Sequence, residues 1–181
     1  MKPAVIAFIV GILGLIVQGA LARTLSPPWC PDLAWLVVIG IGLRWPSFLG
    51  GLLLATVLGY SMDLLSGSLM GQHALLRIIT FLAAALAARQ LDLSGSLPVG
   101  TFVFVMTIFY GAATVMMLSF FVSAAWPGVE VLGAALAHAF VNVIAAGPVI
   151  RVVERILDRF SDEDVGRRSP LPFGFDRVGL V

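Results

Sequence analysis

The stretch GGLLLATVLGYSMDLLSGSLMGQHALLRIITFLAAALAA, residues 50–88, decides the fold. It is nearly continuous hydrocarbon, broken by one turn near Ser66 to Ser68, yet it carries a carboxylate at Asp63 and a guanidinium at Arg77. A bilayer span needs about 20 apolar residues, so the two runs on either side of the break predict a transmembrane helical hairpin. An ionised Asp or Arg inside a lipid-embedded helix costs roughly 2.5 to 3.5 kcal/mol, and such residues turn to the bundle interior and pair. Asp63 precedes the turn and Arg77 follows it, which puts both in the same half of the bilayer. The sequence therefore predicts a buried Asp63–Arg77 pair that fixes register between neighbouring helices, with a proton relay or ligand contact as the alternative role.

Working outward, the chain has 181 residues, of which 60% are hydrophobic and 12% charged, with a mean hydropathy of +1.04. Soluble domains are about a quarter charged, so this composition excludes a soluble protein. Apolar runs at 4–22, 32–44, 47–65, 71–88, 97–123 and 129–150 predict an all-α integral membrane protein, a compact bundle of six transmembrane helices. The run 32–44 would reach only about 20 Å at ~1.5 Å per residue, so a five-span arrangement is the alternative. Ala20-Leu21-Ala22 has the form of a signal cleavage site, but the preceding run is as long as a true span.

Basic residues set the orientation. With both termini cytoplasmic, Lys2, Arg44, Arg89, Arg151, Arg155, Arg159, Arg167, Arg168 and Arg177 share one side, Arg23 stands alone on the other, and Arg77 is embedded. That asymmetry follows the positive-inside rule. Trp29, Trp35, Trp45 and Trp126 fall at or near segment ends, as interfacial anchors do. A net charge of +1 points to no nucleic-acid partner. With Cys30 as the only cysteine, neither an internal disulfide nor a Cys-based zinc site can form.

The links are short. Pro27, Pro28 and Pro31 make residues 23–32 an extended external segment, and Pro46 sits at a turn. Beyond Pro148 the last helix is expected to continue to Phe160 as an amphipathic cytoplasmic extension. Its Arg151, Arg155 and Arg159 are spaced i, i+4, i+8 on a stripe suited to lipid headgroups or simply to solvent. Residues 1–160 thus read as the bundle with its extension and 161–181 as a disordered cytoplasmic tail.

Several constellations could carry function. Gly51, Ala55, Gly59, Asp63 and Gly67 recur at i, i+4 spacing, with Gly71 following, and a smooth face of this kind packs closely against another helix, inside the bundle or from a partner. Ala74, Arg77, Phe81, Ala84 and Ala88 supply an answering stripe, with His73 one turn before Arg77. His138 and Asn142, one turn apart, and Gln18 could bond neighbouring helices or line a polar cavity. Thr107, Gly111 and Thr114 share a face of segment five beside Tyr110. No zinc-protease pair, nucleophile elbow or phosphate loop occurs, so no metal, cofactor or enzymatic activity is expected.

Pro31-Asp32-Leu33 opening the second segment, the run Gly59-Tyr60-Ser61-Met62-Asp63-Leu64-Leu65-Ser66-Gly67 with Gly71 and Leu75 following, and the late Asn142 and Pro148 resemble the bacterial rod shape-determining MreD family. The resemblance covers about residues 4–160. It implies a non-enzymatic inner-membrane scaffold of the cell-elongation and peptidoglycan-synthesis machinery (the elongasome). Such a scaffold would bind single-span MreC and, through it, MreB filaments and the RodA-containing wall synthase. The family is similar in fold to the vitamin-capturing S-components of energy-coupling-factor transporters, which makes a substrate-capturing bundle the alternative. Helix 1 lacks the Ala-x-x-x-Ala docking motif of those components, and His73, Arg77 and His138 have no counterpart in the MreD pattern.

Overall fold

In lipid no water is at hand to satisfy the backbone, so an apolar chain of this kind folds into helices that close their own hydrogen bonds. The computed structural model describes residues 2–44, 48–67, 69–93, 95–122 and 128–167. Among the described residues six helices occupy the six predicted runs: α1 (Lys2–Leu21), α2 (Leu33–Arg44), α3 (Phe48–Ser66), α4 (Gln72–Gln90), α5 (Ser96–Phe121) and α6 (Glu130–Arg167). No strand occurs among the described residues. Of the six, α1, α3, α5 and α6 are long and apolar enough to cross a membrane. The fourth matches α3 in length but is diluted by Gln72, His73, Arg77 and Arg89.

The short second helix is the axis of the bundle. Every residue from Ala34 to Gly42 is buried, and α1, α3, α4 and α6 all pack around it. A helix wrapped on all sides never meets lipid, so its length is not set by bilayer thickness. The outer helices instead turn apolar residues outward, among them Ile9, Leu13 and Ile16 on α1, Leu53 and Val57 on α3, and Phe109, Met116 and Phe120 on α5.

Lipid tails are as apolar as leucine, so helix association in a membrane rests on close fit more than on hydrophobic transfer. Small residues supply that fit. A Cβ on Gly59 would stand 2.5 Å from the Ala74 Cα, one on Gly42 2.6 Å from the Ala84 Cβ, and one on Gly51 2.5 Å from the Phe81 ring. The face Gly51, Ala55, Gly59 and Asp63 is therefore filled by the bundle's own residues. It packs helices as expected, but it is not open to a partner. Gly67 and Gly71 do not belong to that face: their φ angles of 61° and 88° place both in the turn, with open space around them.

Two further expectations are corrected. Trp35 is not an interfacial anchor but lies 1% exposed in the core. Residues 161–167, expected to be disordered, continue the backbone of α6. Trp29 is exposed as an anchor would be, while Trp45, Trp126 and residues 168–181 lie outside the described residues. The α6 extension joins the core through Val153 and Leu157, which pack with Ala7, Val37 and Ile41. Arg151, Arg155 and Arg159 lie on its exposed face.

Candidate functional site

The polar residues of this apolar chain converge at the end of the bundle where α2 and α4 begin and α3 ends. Asp63, in the last turn of α3, is 1% exposed. Its Oδ1 accepts the amide of His73 at 2.8 Å, and its Oδ2 accepts those of Gly71 and Ala74, each at 3.1 Å. The first amides of a helix lack partners within it, and its N-terminus carries partial positive charge. Gly71, the N-cap position of α4, has no side chain to offer, so the carboxylate arrives from the preceding helix. The tight turn at Gly67 and Gly71 permits that reach.

Arg77 is wholly buried and does not pair with Asp63, contrary to the expected ion pair. Its Nη2 lies 3.3 Å from Asp32 Oδ1, and its Nη1 donates to the Leu58 carbonyl at 3.0 Å. The physical reason is competition. Asp63 is already engaged by three backbone donors, whereas Asp32 sits at the start of the central helix against α4. Asp32 also caps α2, its Oδ1 accepting the Trp35 amide at 3.0 Å. Arg77 Nε has no hydrogen-bond partner.

Around this core the remaining polar groups tie elements together. Asn142 on α6 accepts the Asp32 amide at 2.9 Å through Oδ1, while its Nδ2 donates to His138 Nε2 at 3.2 Å and reaches Thr107 Oγ1 at 3.5 Å. His138 Nδ1 lies 3.2 Å from the Pro28 carbonyl, which can only accept. The network therefore sets the proton on Nδ1 and leaves Nε2 as acceptor. His73 Nδ1 and the Tyr110 hydroxyl are 2.6 Å apart, joining α4 to α5. The Trp35 indole donates to Thr80 Oγ1 at 3.0 Å, joining α2 to α4.

Of the predicted site residues, the structure brings His138 and Asn142 together in direct contact and links them through Asp32 to Arg77. His73 is joined to the same region from α4. Gln18 stands apart, on the wall of a cavity of about 520 Å³ between α1, the 22–32 link, the end of α3 and His138. Its Oε1 is buried without a partner. Thr107 takes part in the cluster, but Gly111 faces open space and the buried Thr114 hydroxyl has no partner.

Sequence reasoning passed over Asp32 as a chemical group. The signal was available: an Asp directly before an apolar helix, in a chain this poor in charge, is the pattern of an N-cap. Trp35 and Thr80 carried no comparable signal. Among the described residues no group of three or more His, Cys, Asp or Glu side chains could hold a metal ion. Chemically the arrangement is a set of interhelical hydrogen bonds around an ion pair between the buried Arg77 and the partly buried Asp32. No protein-family model, curated protein or solved structure matches the chain.

Proposed function

We propose that this chain is a non-enzymatic membrane scaffold of the bacterial cell-elongation machinery, seated in the inner membrane with both termini cytoplasmic and binding single-span MreC by helix packing. The family reading rests on the sequence resemblance to MreD. The observation that carries the scaffold role is how the buried charges are used. Asp63 is spent on the α4 backbone, Arg77 on Asp32 and Leu58, and Asn142 on Asp32, His138 and Thr107, so these groups serve rigidity. What such a bundle offers a partner is its outer apolar faces, including that of α5, whose inner face packs on α6, α4 and α2 while Val105, Phe109, Met116 and Phe120 stay exposed. Assembly with MreB and the RodA-containing synthase would follow through MreC.

Orientation has its own support. The ends of α2 and α4 that carry Arg44 and Arg89 lie with the arginine-rich part of α6, where Arg44 Nε meets Glu154 Oε1 at 3.0 Å, while Arg23 stands at the far end. The test is capture of MreC by the tagged chain in mild detergent. Recovery of MreC with both the full chain and a chain truncated after Phe160 is expected. Loss on truncation would move docking to the tail.

A second reading, a substrate-capturing or transport bundle, is favoured by the 520 Å³ cavity and the unpartnered side-chain Oε1 of Gln18 on its wall. Recovery of a pair of cytoplasmic ATPases in place of MreC would support that reading and overturn the scaffold.

A further inference from the structure

At the opposite end of the bundle, a cleft of about 630 Å³ opens where α2 and α4 finish, α5 begins and α6 passes. Its volume falls in the ~300 to 1,000 Å³ range of small-molecule sites. The floor is apolar, formed by Val99, Val143, Ala146 and Ile150, and it belongs to helices with apolar outer faces. Two glycines keep it open. A Cβ on Gly147 would meet nothing within 4 Å, and one on Gly100 would meet only Val143, at 3.4 Å.

The rim has a different chemistry. Arg44, Arg151, Asp92 and Glu154 all line the cleft, two cations and two carboxylates. Arg44 is bound to Glu154 through Nε alone and its side chain is 58% exposed, which leaves the Nη groups available. Arg151 is exposed and forms no ion pair among the described residues. A carboxylate accepts up to about four hydrogen bonds, so the bond from Arg44 does not exhaust Glu154. The first turn of α5 also opens here, with no side-chain cap on its amides.

An apolar floor beneath a charge-balanced rim matches one class of ligand. We infer that this cleft seats an aminophospholipid: the phosphate against Arg44 and Arg151, the primary ammonium against Asp92 and Glu154, and the upper part of an acyl chain over the floor. A purely anionic headgroup would bring no cation of its own to the two carboxylates. A choline headgroup carries the positive charge but no N–H to donate.

The test is competition for the purified full-length chain, read by native mass spectrometry, among phosphatidylethanolamine, phosphatidylglycerol and phosphatidylcholine of identical acyl chains. Phosphatidylethanolamine should be retained preferentially. Arg151→Gln should weaken its retention about fivefold, the worth of one near-surface cation. Asp92→Asn should weaken phosphatidylethanolamine but not phosphatidylglycerol. Gly147→Leu, at a position with room for a side chain, should expel the lipid while gel filtration shows the bundle intact. Arg159→Gln, on the same helix but away from the cleft, should change nothing.

Soluble glycerophosphoethanolamine separates a lipid site from a free-phosphate site and should compete poorly, because it lacks the acyl chains. Equal or stronger retention of phosphatidylglycerol or phosphatidylcholine overturns the inference. So does an Arg159→Gln effect as large as that of Arg151→Gln, retention by Gly147→Leu, or competition by glycerophosphoethanolamine as strong as by the lipid.

Discussion

Arg77 Nη2 stands 3.3 Å from Asp32 Oδ1, so the one wholly buried guanidinium among the described residues is neutralised by the N-cap residue of the central helix and not by its neighbour in the hairpin. Asp32 thereby holds α2 and α4 together while its own backbone amide is held by Asn142 of α6. One residue joins three helices.

A double-mutant cycle should expose that pairing. Coupling between Asp32→Asn and Arg77→Met is expected to exceed about 1 kcal/mol, within the ~0.5 to 3 kcal/mol range of residues in direct contact. Asp32→Asn leaves the wholly buried Arg77 without its ion-pair partner, Arg77→Met leaves the partly buried Asp32 without its own, and the double change removes both charges. Coupling between Asp63→Asn and Arg77→Met should be smaller. Reversible unfolding in mild detergent measures both cycles, and equal couplings would show that Arg77 is shared between the two carboxylates.

Asp63→Ala should destabilise the bundle by about 2 kcal/mol or more, above the ~1 kcal/mol of an ordinary N-cap, because the Gly71 amide and two amides of the first turn of α4 lose a charged acceptor at once. Asp63→Asn, which keeps one acceptor oxygen, should lose less. Hydrogen exchange at Gly71, His73 and Ala74 is the direct readout. Unchanged protection there in Asp63→Ala would mean that water replaces the carboxylate.

Glycine substitutions should rank by what the new Cβ meets. Gly59→Ala drives a methyl into the α4 backbone at Ala74 and His73, which cannot step aside, and should cost about 1 to 3 kcal/mol. At Gly51 the obstacle is the end of the Phe81 ring, which can shift, so Gly51→Ala should cost less. Gly111→Ala faces open space and should be neutral or slightly stabilising, since alanine is the better helix former. Thermal unfolding of the three variants decides the order.

Cys30 tests topology and environment together. Its thiol reaches towards the Gln18 carbonyl at 3.7 Å, and burial, with the Asp32 carboxylate second, pushes its pKa above the ordinary cysteine value. The raised pKa favours the neutral thiol, so alkylation should be slow at neutral pH and should accelerate at a higher pH than for a free cysteine. A membrane-impermeant reagent applied outside cells with a permeabilised outer membrane should reach Cys30. Labelling only after inner-membrane lysis would invert the proposed orientation.

Helix placement and an all-helical, apolar character were legible in the chain, because each depends on local sums: apolar runs, four of them long enough to match a bilayer, and prolines and glycines that break them. The burial of Asp63 and Arg77 was legible for the same reason, since an apolar chain must turn its few charges inward. So was the closeness demanded by Gly51, Ala55 and Gly59. Which groups meet was not. Asp32 and Arg77 are 45 residues apart, and Asp32 and Asn142 are 110 apart, so their contacts depend on how five helices arrange around α2. Only the tertiary structure decided that the shortest apolar run becomes the central helix, because burial on every face removes the length requirement that lipid imposes. It also decided that Asp63 serves the α4 backbone, because three amides converge on its carboxylate while Arg77 is held by Asp32 and the Leu58 carbonyl.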